Sequence, residues 1–149
     1  MDTNIEQVVL KNILTNEIYM RKVLPFIKPE YFEGIYKTLF KQTGKFVAKY
    51  NKLPSAESFK IELDNAEIFN DEQYRQAVEI IPSLFEKETS DADWLLDTTE
   101  KWCQDRALFN AVMESISIID GKHQTLSKNA LPDILTKALG VSFDTNVGH

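Results

Sequence analysis

"SDADWLLDTTEKWCQDRALFNAVMESISIID", residues 90–120, is the longest helical pattern in the chain. At 100° per residue it carries two apolar faces. A heavy stripe holds Trp94, Leu95, Trp102, Phe109, Val112, Met113, Ile116 and Ile119. A lighter face holds Leu96, Cys103, Ala107, Ala111 and Ile118. Two apolar faces predict two neighbours: the helix's own domain on one side and another helix on the other. Small residues such as Ala107 and Ala111 permit that second helix to come close. Asp105 projects into the heavy stripe between Trp102 and Phe109. It reads either as a structural group paired with a cation or a backbone N–H, or as a functional acid with a raised pKa.

The second helix is found downstream. In "ALPDILTKALGVSFDTNVGH", residues 130–149, Leu131, Ile134, Leu135, Ala138 and Leu139 share one helical face. Pro132 suits a first helical turn and Gly140 a C-terminal cap. So short a helix does not survive alone in water. It is expected to fold back across the connector "DGKHQTLSKN", residues 120–129, and to bury Leu131, Ile134, Leu135 and Leu139 on the lighter face. The outer edges of such a hairpin would stay partly apolar and suit a neighbouring hairpin, so Leu96, Cys103, Ala107, Ala111 and Ile118 with Leu131, Ile134, Leu135 and Leu139 are the candidate subunit or partner interface.

Upstream, helix signals run from end to end. "TNIE" at residues 3–6 is a capping-box pattern that opens a helix to about Leu14. A second helix spans Asn16 to about Leu24 and ends near Pro25. Pro29 starts the short "PEYFE", and residues 34–50 form a long amphipathic helix. Ser55 caps the next helix in "LPSAESFKIEL". "NDEQ" at residues 70–73 starts another through Leu84, with Pro82 expected to kink or end it. No stretch sustains a period of two, so the class is all-α. The expected organisation is a globular helical subdomain at 1–88, a helical hairpin at 89–140, and the start of a linker at 141–149.

Composition bounds the function. The 149 residues include nine Phe, five Tyr and two Trp, enough for a real core and against disorder. The net charge of -6 is the wrong sign for a domain built around DNA phosphates. A lone cysteine, Cys103, permits no intramolecular disulfide. No signal peptide or membrane-length apolar run is present. Lys37, Lys41, Lys45 and Lys49, four apart on the helix at 34–50, form an electropositive stripe opposite Ile35, Tyr36, Leu39, Phe40, Phe46, Val47 and Tyr50. The stripe reads as the solvated face of an amphipathic helix or as a site for phosphates or an acidic partner. The acidic run "EKETSDAD", residues 86–93, lacks the features of a calcium loop and complements a helix N-terminus. His123 and His149 stand apart from any zinc-like spacing. No nucleophile elbow and no phosphate-binding loop is present, so no catalytic residue is assigned and no cofactor or metal is expected in these residues.

This pattern resembles the N-terminal domain of DnaB-type replicative helicases. "EQVVLKNILTN" (6–16) resembles that family's opening helix and "IKPEYFEGIYKTLFK" (27–41) its following aromatic segment. Lys11 and Asn12 replace the small residues usual in the bacterial branch. "EYFE", "TEKWCQDRALFNA" and the ending at 130–149 fit the T-even-like phage branch better. The resemblance implies a helical hairpin that packs against hairpins of neighbouring subunits in the collar of a hexameric ring. It also implies phage primase as a partner and the cytoplasm of an infected bacterium as the setting. A linker and a RecA-like motor, binding nucleoside triphosphate and Mg, would follow His149; single-stranded DNA would be held by the parent ring and weakly or not at all by this segment. The alternative is a free-standing helical phage adaptor or regulator with no motor. An in-frame phosphate-binding loop downstream of His149 separates the two.

Overall fold

The computed structural model describes residues 2–87, 91–123 and 125–143, with side chains from Ile5 onward. Seven α-helices and no strand are present among the described residues. Internal contacts divide the chain into two compact units, Met1–Ala92 and Asp93–His149.

The first unit holds α1 (Asp2–Thr15), α2 (Glu17–Val23), α3 (Gly34–Tyr50), α4 (Ala56–Ala66) and α5 (Asp71–Leu84), with 3-10 turns at Leu24–Phe26 and Pro29–Tyr31. Local chemistry sets these boundaries. Asn16 Oδ1 accepts the Tyr19 N–H at 3.0 Å and starts α2. The Ser55 hydroxyl accepts the Ser58 N–H and the Ser58 hydroxyl accepts the Ser55 N–H, a reciprocal box built from two serines. Asn70 and Gln73 make the same exchange at the start of α5. Pro82 sits in the last turn of α5, where few N–H groups are still needed, and the helix stops two residues later. The Thr3 cap cannot be placed, because that side chain lies outside those described; the backbone of α1 is already helical at Asp2.

Gly34 opens α3 at φ +58°, a conformation that favours glycine. At the other end Asn51 closes α3 in the left-handed region, and its N–H reaches Val47 O at 2.7 Å. Arg21 of α2 clamps that cap, donating to Asn51 Oδ1 at 3.1 Å and Asn51 O at 2.9 Å. Glu6 of α1, itself buried, accepts the Glu33 N–H at 2.8 Å just before α3. Helix α1 packs on α2, α3 and α5. Val9, Leu10 and Ile13 are fully buried, as are Leu39, Phe59 and Leu84. Phe32 stacks on Phe40 with centroids 4.8 Å apart, and Phe59 tilts against Phe85 at 5.7 Å.

The second unit holds nearly all of α6 (Ala92–Ile119), a 3-10 turn at Lys128–Ala130 and α7 (Leu131–Leu139). Ser90, expected to open α6, lies outside the described residues. Buried hydroxyls on α6 are satisfied within the helix: Thr99 donates to Leu95 O at 2.7 Å and Ser115 to Ala111 O at 2.8 Å. Gly121 turns the chain out of α6 at φ +74°. The His123 ring organises the described part of the connector. His123 Nδ1 accepts the N–H groups of Thr125 at 3.3 Å and Leu126 at 3.1 Å. The proton of the neutral ring therefore lies on Nε2, which meets Glu114 Oε2 at 3.2 Å.

Candidate functional site: the apolar faces of α6

Three hydrogen bonds fix where α7 returns. Gln104 Nε2 donates to Val141 O at 3.0 Å, the Phe143 N–H to Glu100 Oε2 at 2.7 Å, and the Ser142 hydroxyl to the same carboxylate oxygen at 3.4 Å. Glu100 and Gln104, one turn apart, lie within about 60° of Ala107, Ala111 and Ile118 around the α6 axis. The chain leaving α7 is thus tied down beside the light face, and α6 and α7 form a hairpin. On that face Cys103, Ala111 and Ile118 are buried, and Leu96 and Ala107 half-buried. Of the α7 residues, Leu131, Ile134 and Leu135 are half-buried and Ala138 is buried. Leu139 departs from the expectation: it is 73% exposed. The inner face of α7 is centred on Leu131, Leu135 and Ala138, and Leu139 falls about 80° round from Leu131, at its edge.

Burial pushes the Cys103 thiol up to about 12, and the nearby Glu100 carboxylate adds to the shift. A thiol that is 0% exposed and protonated at neutral pH is a poor nucleophile. Alkylation of Cys103 by iodoacetamide at pH 8 is expected to be at least a hundredfold slower in the folded chain than in urea. The linkage has a definite sign: the folded state holds this proton more tightly, so its contribution is complete below the usual thiol pKa and is lost as pH rises toward 12.

The heavy stripe also departs from expectation. Its first turns are buried at Leu95 and Trp102, but Phe109, Val112, Met113, Ile116 and Ile119 are each 42–56% exposed. They lie on the side of α6 opposite the tail hooks, about 100–220° round from Glu100, so α7 cannot cover them. Trp94 is also half-exposed. The Arg106 guanidinium stands 4.9 Å from the Phe109 ring centroid at the edge of the stripe. Asp105 is exposed in the middle of it. Isolated exposed apolar residues are ordinary, but five at i, i+3, i+4, i+7 and i+10 on one helix make a continuous face.

On α3, Lys41, Lys45 and Lys49 are exposed and Lys37 half-buried, opposite the buried Leu39, Phe40, Phe46 and Val47. Tyr50, placed with the apolar arc by spacing, is 42% exposed, and Lys49 Nζ stands 5.2 Å from its ring centroid. The lysines and the α6 stripe belong to different units. Among the described residues no three His, Cys, Asp or Glu side chains gather as a metal-binding group, and no helix is long and apolar enough to cross a membrane. His149 and residues 88–90 of the acidic run lie outside the described residues.

No family model matches the chain. It is 33% identical, over 152 aligned residues and 96% of its length, to the DnaB-like replicative helicase of Enterobacteria phage T4. The chain spans about a third of that relative, 32% of its length.

Proposed function

We propose that this chain, a relative of the phage DnaB-like replicative helicases, is the N-terminal collar of such a helicase. In this reading the collar organises a ring of subunits and receives the primase, while unwinding and nucleotide hydrolysis belong to a motor that follows a linker beyond the moored residues 141–143. The observation that supports it is the open stripe Phe109, Val112, Met113, Ile116 and Ile119. A helix that turns one apolar face to its own hairpin partner and leaves the other half-exposed is built to meet a further surface. A second hairpin of the same kind fits that need, because a two-fold contact is self-complementary and apolar stripes match each other without charge pairing. The working environment is the cytoplasm of the infected host.

The partner part of the reading is tested with the whole helicase. A ring deleted for residues 1–149 is expected to lose both assembly with the phage primase and stimulation by it. A deleted ring that still binds primase and is stimulated overturns the collar reading.

The isolated 149-residue chain is expected neither to hydrolyse nucleotide nor to bind single-stranded DNA tightly. The lysine row on α3 is the feature most able to defeat this expectation, since phosphate contacts dominate such affinity. Sub-micromolar binding at physiological salt, abolished by reversing Lys37, Lys41, Lys45 and Lys49, would contradict it.

A further inference from the structure

Helices α4 and α5 enclose a groove that the collar reading does not use. Its apolar part is a slot of about 250 Å³ walled by Leu63, Phe69, Tyr74, Ala77, Val78 and Ile81. Leu63, Ala77 and Ile81 form a buried floor, while Tyr74 and Val78 are half-exposed at the rim. The slot shares Asp64, Phe69 and Tyr74 with a wider shelf of about 380 Å³, along which stand the carboxylates of Asp64, Glu67 and Asp71. Among the described residues, Lys60 is the one cation lining either part. Ile68 adds a half-exposed apolar side chain on the shelf.

Size and charge together select an occupant. The slot is smaller than the roughly 300–1,000 Å³ typical of small-molecule pockets, so it suits one large apolar side chain. Three carboxylates beside it favour cations on the segment that carries this side chain, and they repel the phosphates of a nucleotide or nucleic acid. An amphipathic helix with one apolar anchor and flanking Lys or Arg meets both demands, in the helix-in-groove mode. We propose that the α4–α5 groove docks a basic amphipathic segment of a partner protein, with its apolar anchor in the slot and its cations on the Asp64–Glu67–Asp71 shelf. This goes beyond the collar reading and rests on none of it.

Two synthetic 14-residue helical peptides with the same leucine and phenylalanine face test it, one with lysine and the other with glutamate at every polar position. Binding to the whole 149-residue chain is followed by fluorescence anisotropy. The lysine peptide is expected to bind at least tenfold tighter than the glutamate peptide. Val78→Gln and Tyr74→Ala, each altering a half-exposed rim residue without changing charge, are expected to weaken it at least tenfold. Asp64→Asn with Glu67→Gln should weaken it and flatten its salt dependence. Circular dichroism establishes that each variant is folded. Equal binding of the lysine peptide to the rim variants would reduce the effect to general attraction by an acidic protein and overturn the proposal. So would equal binding of the two peptides. Loss of the chain's own self-association in Val78→Gln would assign the groove to a second copy instead, and would equally overturn it.

Discussion

Aspartate at both Met113 and Ile116 is expected to leave the chain folded and to weaken its self-association at least a hundredfold, about 2.8 kcal/mol. Both side chains are half-exposed in the single chain, so the substitutions remove little intramolecular packing. In an association through this stripe, the remaining half of each side chain would be buried, worth roughly 1 kcal/mol apiece. Two carboxylates would then have to lose water in an apolar contact, which adds several kcal/mol more. The effect should be confined to the stripe. Asp97→Lys, an exposed change on the same helix about 60° round from Glu100 and so off the stripe, is expected to shift association by less than threefold. Equilibrium sedimentation with far-ultraviolet circular dichroism measures both quantities. Unfolding of the double variant would mean that Met113 and Ile116 belong to the core of the second unit.

Phe59→Ala is expected to destabilise the first unit by about 3–5 kcal/mol, the range for removing a buried aromatic ring. Phe59 is fully buried and packs tilted against Phe85, so the cavity would open between α4 and the end of α5. Single domains are stable by about 5–15 kcal/mol, and a loss of this size approaches the lower bound. Because the chain has two units, a single melting curve would mix them. Amide exchange on α1 and α4, compared with that on α6, separates the responses. Protection in α1 and α4 should fall sharply while α6 near Cys103 changes far less. Equal loss throughout would show that the two units unfold as one.

Much of the helical layout is readable from residue type alone, because caps and breakers act locally. Asn70 with Gln73, Ser55, Asn16 and Pro132 each mark a helix start within two residues of where it is found. Residues 131–139 form a helix with the bounds that their periodicity implies. Periodicity also separates the two faces of α6, but it does not say which neighbour covers which face. The heavy stripe has more apolar surface to hide, so assigning it to the helix's own domain is the natural expectation. Steric reach decides otherwise along the upper half of α6: the short α7 is moored by Glu100 and Gln104 on the opposite side, next to Ala107 and Ala111. Neither polar residue signals this role in sequence, since each bonds a backbone group about forty residues away. The α4–α5 groove is equally silent. Its walls come from two amphipathic helices that each look ordinary, and the slot exists only at their particular separation.

Cysteine cross-linking asks whether the open α6 stripes of two chains face each other. Cysteines are introduced singly at Phe109, Val112, Met113, Ile116 and Ile119 in a Cys103→Ser background, with the exposed, off-stripe Asp97→Cys as the control. A symmetric contact brings at least one stripe position within the roughly 4.4–6.8 Å between Cα atoms that a disulfide spans. The expected result is a covalent dimer, twice the 17.2 kDa of the chain, formed at one or two stripe positions far faster than at residue 97. Stripe cysteines that cross-link no faster than the control, at concentrations up to the millimolar range, would contradict it.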